Sequence, residues 1–172
     1  ANYTELIKSN PNFAEAHNNL ANIYIKENKI EKAIFYLEKA IANKHDLTQA
    51  HLNLAKIYIT LGNSLQIKGD IEASVKNYKK AIEYKSDHFE AHNNLGIALI
   101  KLNKITEAII SFENAIKTLH DIEIALEKIE KGGYGICEET GEPIETKRLE
   151  KQPWVRLSLE AQEELERQEK KF

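Results

Sequence analysis

Of the 172 residues one is a cysteine, Cys137, and none is a methionine. A lone thiol excludes an internal disulfide framework and fits a reducing, cytoplasmic setting. The missing methionine, with Ala1 at the start, leads us to expect a fragment of a longer chain. Apolar runs extend over only a few residues, well short of the ~20 that a membrane-spanning helix needs. The opening Ala1-Asn2-Tyr3-Thr4-Glu5 has no basic stretch followed by an apolar one, so it does not read as a secretion signal. A basic surplus is lacking too. Residues 1–120 carry 15 Lys and Arg against 13 Asp and Glu, and residues 121–172 carry 9 against 14. Neither part offers the positive footprint that a phosphate backbone requires, so direct nucleic-acid binding is not expected. There is no phosphate-cradling glycine loop, no His-Glu-x-x-His and no nucleophile elbow, and no enzyme is expected.

What the chain does have is an ordinary globular composition, 42% apolar and 30% charged, and a repeat. Ala16-His17-Asn18-Asn19-Leu20-Ala21 returns as Ala50-His51-Leu52-Asn53-Leu54-Ala55 and again as Ala91-His92-Asn93-Asn94-Leu95-Gly96. Ala16 and Ala50 are 34 residues apart; Ala50 and Ala91 are 41 apart, or 34 plus 7. Each unit continues with a second apolar-periodic stretch, Ile30 to Ile41, Ile71 to Ile82 and Ile105 to Ile116. Small residues recur at Ala33, Ser74 and Ala108, then at Ala40, Ala81 and Ala115, with Leu37, Tyr78 and Phe112 between them. Apolar positions three and four apart are the mark of a helix face, and the small ones let two helices approach closely.

A 34-residue helix pair with these small and aromatic places resembles the tetratricopeptide repeat (TPR). The resemblance covers about residues 11–118 and implies an all-α fold, a right-handed solenoid of antiparallel helix pairs. Repeats are expected at about 14–47, 48–88 and 89–120. They follow a partial unit, 1–10, whose second helix is Tyr3–Ser9 and whose closing proline is Pro11. The array is expected to have continued before residue 1. His17, His51 and His92 stand where the family often has Trp, and His45, Ser86 and His120 replace the closing Pro. The seven extra residues lie between Leu54 and Gly69, where Leu54-Ala55 and Leu61-Gly62 both read as the family's Leu-small pair. Seven residues advance a helix by nearly two turns with a drift of about 20°. The middle unit should therefore have a first helix two turns longer, and Gly62 is a place for a kink.

In TPR proteins the first helix of each pair lines the concave face. Asn19, Asn53 and Asn94 share one repeat position there. A carboxamide both donates and accepts, so a ladder of them pairs with an extended peptide backbone without reading its side chains. Asn18, Asn22, Asn93, Lys26 and Lys56 would flank it. The competing reading is that these amides only satisfy neighbouring backbone groups. The carboxylate-clamp type of TPR is matched loosely by Asn22 and Asn53, without its Lys and Arg set. The three histidines recur because the repeat does; adjacent units stand about 10 Å apart, too far to share a metal at ~2 Å. Packing in the core or groove is expected of them.

From Thr106 to Lys131 there is no Pro or Gly, and apolar residues stay in register to Ile129, so one long last helix should run until Gly132-Gly133 stops it. Then follow Tyr134-Gly135-Ile136-Cys137, Gly141-Glu142-Pro143-Ile144, Arg148-Leu149-Glu150 and a charged helix from about Ser158 to Lys171. In that helix Glu163 with Arg167 and Glu166 with Lys170 are expected as i,i+4 pairs. These pieces, over about 121–172, resemble the C-terminal zinc-finger region of the DksA/TraR family. The family's four cysteines fall on Cys137, Thr140, Ser158 and Ala161, so the spacing survives and three thiolates do not. No His lies beyond His120. Zinc is expected for the family and predicted absent here, with a small core of Tyr134, Ile136, Ile144, Leu149, Trp154 and Leu157 in its place. Glu138 and Glu139 should raise the Cys137 pKa.

The sequence thus predicts a TPR array at 1–120, a long last helix and a degenerate zinc-finger subdomain at 121–172. The expected partner is a protein or peptide in the groove. The DksA likeness adds RNA polymerase as an alternative partner and transcription regulation as an alternative role.

Overall fold

The computed structural model describes residues 2–169. Two compact units divide the chain, Ala1–Ala115 and Ile116–Phe172. The first holds α1 (Tyr3–Ser9), α2 (Ala14–Lys26), α3 (Ile30–Asn43), α4 (Thr48–Ile67), α5 (Ile71–Tyr84), α6 (Phe89–Lys101) and the start of α7 (Ile105–Lys131). Helices adjacent in sequence pack on one another, α2 on α3, α3 on α4, α4 on α5 and α5 on α6. This is the expected solenoid of helix pairs.

The small residues do what their spacing implied. Ala21, Ala33, Ala40, Ala50, Ala55 and Ala81 are fully buried and let the helices close on Leu37 and Leu54. Burying each such leucine is worth about 1.5–3 kcal/mol. Each pair turns through one left-handed residue at the same repeat position: Asn28 (φ 57°), Gly69 (φ 85°) and Asn103 (φ 59°). The residue after it donates its N–H back across the turn, Lys29 to Tyr24, Asp70 to Leu65 and Lys104 to Leu99, at 2.8, 3.0 and 2.9 Å. That closes the carbonyls that a helix end leaves open.

Between pairs, each repeat histidine reaches back six residues. His17, His51 and His92 place Nε2 at 2.7, 2.8 and 2.7 Å from the carbonyls of Pro11, His45 and Ser86. Those carbonyls belong to the closing-proline position, which is still proline at Pro11, so the histidine ties the first helix of each pair to the turn before it whether or not the proline is kept. The carbonyl can only accept, which makes Nε2 the protonated nitrogen.

α4 has 20 residues where α2 and α6 have 13 each, the expected two extra turns. It runs unbroken through Gly62, and the reason for the glycine is contact: a Cβ there would sit 2.5 Å from Tyr78 Cε1. Gly96 is related to Phe112 in the same way, at 2.7 Å. The first unit uses the opposite pairing, Ala21 with the slimmer Leu37, both fully buried.

In the second unit α7 ends as expected at Gly132 (φ 77°), with Gly133 N–H bonded to Lys128 O at 2.9 Å. A single antiparallel bridge, Ile136 with Pro143, precedes α8 (Thr146–Lys151) and α9 (Leu159–Glu169). The core here is Cys137, Ile144 and Ala161, with Leu149, Val155 and Leu157 against it. Three members of the expected core are not in it: Trp154 is half-buried outside this cluster, and Tyr134 and Ile136 are exposed, because the turn between Gly133 and Cys137 points them to solvent. Arg167 pairs with Glu164 at 2.9 Å, one residue closer than the expected Glu163. Lys170 and Lys171, and with them the second expected pair, lie outside the described residues. Among the described residues no helix is long and apolar enough to cross a membrane.

Candidate functional site

α4 is long enough to serve two registers, and the asparagines show it. On its first turns Asn53 donates both amide hydrogens to the preceding repeat, to Asn22 Oδ1 at 2.9 Å and to Asn18 Oδ1 at 3.2 Å, and accepts from Gln49 at 3.0 Å. On its last turns Asn63 takes the place that Asn22 had. Asn94 donates to Asn63 Oδ1 at 3.0 Å across the same 31 residues that separate Asn22 from Asn53. Asn53 and Asn63 are ten residues apart on α4, which at a rise of about 1.5 Å per residue displaces the second couple from the first by about 15 Å.

The residues predicted for peptide contact therefore fall into separate groups. Asn18, Asn22 and Asn53 form one cluster, with the Asn18 side chain buried. Asn94 joins Asn63 in another. Asn19 and Asn93 are half-buried on α2 and α6, and Lys26 and Lys56 are exposed.

Around the second couple opens a cleft of about 510 Å³, lined by Asn63, Gln66, Tyr78, Glu90, Asn94 and Lys101, with the exposed Ile67 at its edge. Its floor is the Tyr78 hydroxyl, whose one hydrogen is shared between Asn63 Oδ1 at 2.8 Å and Gln66 Oε1 at 3.1 Å. Burial, and then the charge of Glu90, raise the Tyr78 pKa and keep that hydroxyl protonated. Of these residues the sequence had marked only Asn94 for binding. The signal for Asn63 was present as its 41-residue offset from Asn22, which equals the offset from Ala50 to Ala91. Gln66, Glu90 and Lys101 carried no such mark.

In the second unit the four metal positions come together around Cys137. Ser158 N–H points at Cys137 Sγ at 3.3 Å, and Ala161 N–H bonds Ser158 Oγ at 3.3 Å. Cys137, Ser158 and Ala161 are buried, while Thr140 is exposed. Structural zinc takes four thiolate or imidazole ligands. One thiol, two hydroxyls and a methyl do not fit it, and no group of three metal-ligating side chains occurs among the described residues. The thiol itself departs from expectation. Burial pushes its pKa up, but hydrogen bonds from Thr140 and Ser158 outweigh burial and pull it down to about 6. Neither Glu138 nor Glu139, the two carboxylates expected to oppose this, is among the causes that set it, and Glu138 is held by Lys128 at 2.8 Å and Arg156 at 2.6 Å.

Known proteins match the repeats and the C-terminal segment separately. The family model described as TPR repeat matches residues 62–103, and Tetratricopeptide repeat models match 14–47 and 89–118. The prokaryotic dksA/traR C4-type zinc finger model matches 132–167. An RNA polymerase-binding transcription factor DksA from Caulobacter vibrioides is 52% identical over 54 residues, 31% of this chain and 38% of the relative. An uncharacterized protein of Aquifex aeolicus is 55% identical over 53 residues, 31% of this chain and 37% of its own length. The chain thus spans well under half of the curated relatives it matches. Among solved structures, a MamA protein aligns with 69% of this chain and 61% of its own, at 21% identity and TM-score 0.48. The second TPR of Spaghetti (RPAP3), bound to an HSP90 peptide, aligns with 62% of this chain and 92% of its own, at 26% identity and TM-score 0.39.

Proposed function

We propose, for a chain that belongs to the tetratricopeptide repeats over 14–47 and 62–118 and to the DksA/TraR zinc-finger family over 132–167, that the repeats bind an extended peptide of a partner protein. The array is a protein-interaction scaffold in kind; the peptide, and its place among the groove asparagines, are our reading. The functional boundary is set at 120/121. The observation that carries the proposal is the amide lining: carboxamides from successive first helices meet in couples, Asn22 with Asn53 and Asn63 with Asn94. Asn53 has both ends engaged, but Asn22 and Asn94, each tied to its neighbour by one end, present the other to a backbone N–H or C=O. No catalytic role and no resident zinc enter this reading, and the protein is placed in the cytoplasm.

A second reading is favoured by the C-terminal segment, whose relative is named as RNA polymerase-binding. It makes the chain a transcription regulator that reaches RNA polymerase through residues 132–172. One experiment separates the two. Tagged wild type, the triple variant Asn19→Ala/Asn53→Ala/Asn94→Ala and a chain lacking 132–172 are used for affinity capture, with mass spectrometry as readout and helicity by circular dichroism as a folding control. The peptide reading expects partners lost by the folded triple variant and kept by the truncation. Polymerase subunits lost only by the truncation would establish the second reading and overturn the first.

A further inference from the structure

We infer that the cleft at the second register of α4 reads a carboxamide, taking an Asn or Gln side chain of the bound peptide and disfavouring its carboxylate isostere. This rests on the peptide-binding reading and deepens it.

The argument begins with hydrogen-bond bookkeeping. Asn63 Oδ1 accepts twice, from the Tyr78 hydroxyl and from Asn94 Nδ2. With those two donors on one atom, the lone pairs of Asn63 Oδ1 are filled. Gln66 Oε1 likewise faces the Tyr78 hydroxyl. Both side chains are therefore turned with oxygen towards the floor and NH₂ towards the opening. The cleft presents the Asn63 and Gln66 amide hydrogens as donors and the Asn94 oxygen as acceptor.

A carboxamide is complementary to that set. Its oxygen accepts from the Asn63 and Gln66 amides while its NH₂ donates to Asn94 Oδ1 or to Glu90. A carboxylate has no hydrogen for Asn94 and meets the Glu90 charge at the same wall. Lys101, the other charge on the lining, disfavours a cationic side chain. Opposite charges on a cleft with an uncharged floor suit a neutral polar ligand. A site that hydrogen-bonds a ligand group rejects the analogue lacking it far better than an apolar pocket rejects a missing methylene.

The cleft owes its existence to the seven extra residues. In the first register Asn53 spends its amide hydrogens on Asn18 and Asn22 and has Gln49 on its oxygen, so Asn53 itself has both ends engaged. The second couple gains Tyr78 beneath it. At the matching place in the first unit stands Leu37, which has no hydroxyl to orient anything.

The test uses the full chain, labelled with ¹⁵N, and three capped pentapeptides: four alanines around a central glutamine, glutamate or alanine. The Asn and Gln side-chain amide signals are followed by nuclear magnetic resonance. The glutamine peptide should give saturable shifts at Asn63, Gln66 and Asn94, and bind at least about tenfold more tightly than the glutamate peptide. The exposed substitution Glu90→Gln should narrow that gap without loss of helicity. Equal affinity for all three peptides would overturn the carboxamide reading and leave the peptide reading standing. No shift at any groove asparagine, Asn22 and Asn53 included, with all three at several millimolar would overturn both.

Discussion

Replacing Gly62 by alanine sets two effects of similar size against each other. A glycine inside a helix costs up to about 1 kcal/mol against alanine, so helix propensity alone makes Gly62→Ala stabilising. The packing says otherwise. The new methyl would lie 2.5 Å from Tyr78 Cε1 and 2.8 Å from Cδ1. Tyr78 cannot simply swing away, since it is 1% exposed and its hydroxyl is bonded to Asn63 and Gln66. Overpacking of this kind costs about 1–3 kcal/mol, and displacing the hydroxyl forfeits about 1 kcal/mol more. The net expectation is destabilisation by about 1–3 kcal/mol, opposite in sign to the propensity effect. The first unit names the compensation, because Ala21 there sits with Leu37. Tyr78→Leu alone should destabilise by removing the ring from over the glycine. Gly62→Ala/Tyr78→Leu should recover most of both losses, giving a coupling energy of at least about 1 kcal/mol in a double-mutant cycle read by urea unfolding. A Gly62→Ala variant as stable as wild type, or more so, would refute the packing argument, as would additivity of the two substitutions.

Three other outcomes follow. Asn103 (φ 59°) should tolerate glycine, with stability unchanged or slightly higher, whereas Asn103→Ala should cost about 1 kcal/mol in the same unfolding assay. Removing the His92 ring as His92→Ala should cost about 0.5–1.5 kcal/mol and raise amide hydrogen exchange in the turn around Ser86, whose carbonyl loses its partner. Cys137 should titrate near 6 by thiolate ultraviolet absorbance. Because that is below the ordinary thiol value of 9.0, the group adds stability as pH rises from 6 to 9, and the contribution is lost as pH falls through 6; a midpoint at the ordinary value would refute the donor role of Thr140 and Ser158.

Much of this protein was determined by sequence alone, and the reason is periodicity. The 34-residue return of Ala16, Ala50 and, after seven more, Ala91 places every helix pair, because a repeat buries the same face each time. The length of α4 follows from helix geometry, since seven residues keep an apolar face in line. The loss of zinc ligands follows from residue type at Thr140, Ser158 and Ala161. What the tertiary structure decided depends on which atoms meet across helices, and no spacing rule encodes that. It put Tyr78 over Gly62, so a glycine that reads as a weak point is a fitted contact. It made the histidines lock turns through Nε2. It turned Glu138 towards Lys128 and Arg156, which left the Cys137 thiol to its hydrogen-bond donors and reversed the expected shift. It also divided the asparagines between two registers, because one long α4 meets the repeat before it at Asn53 and the repeat after it at Asn63, ten residues further on.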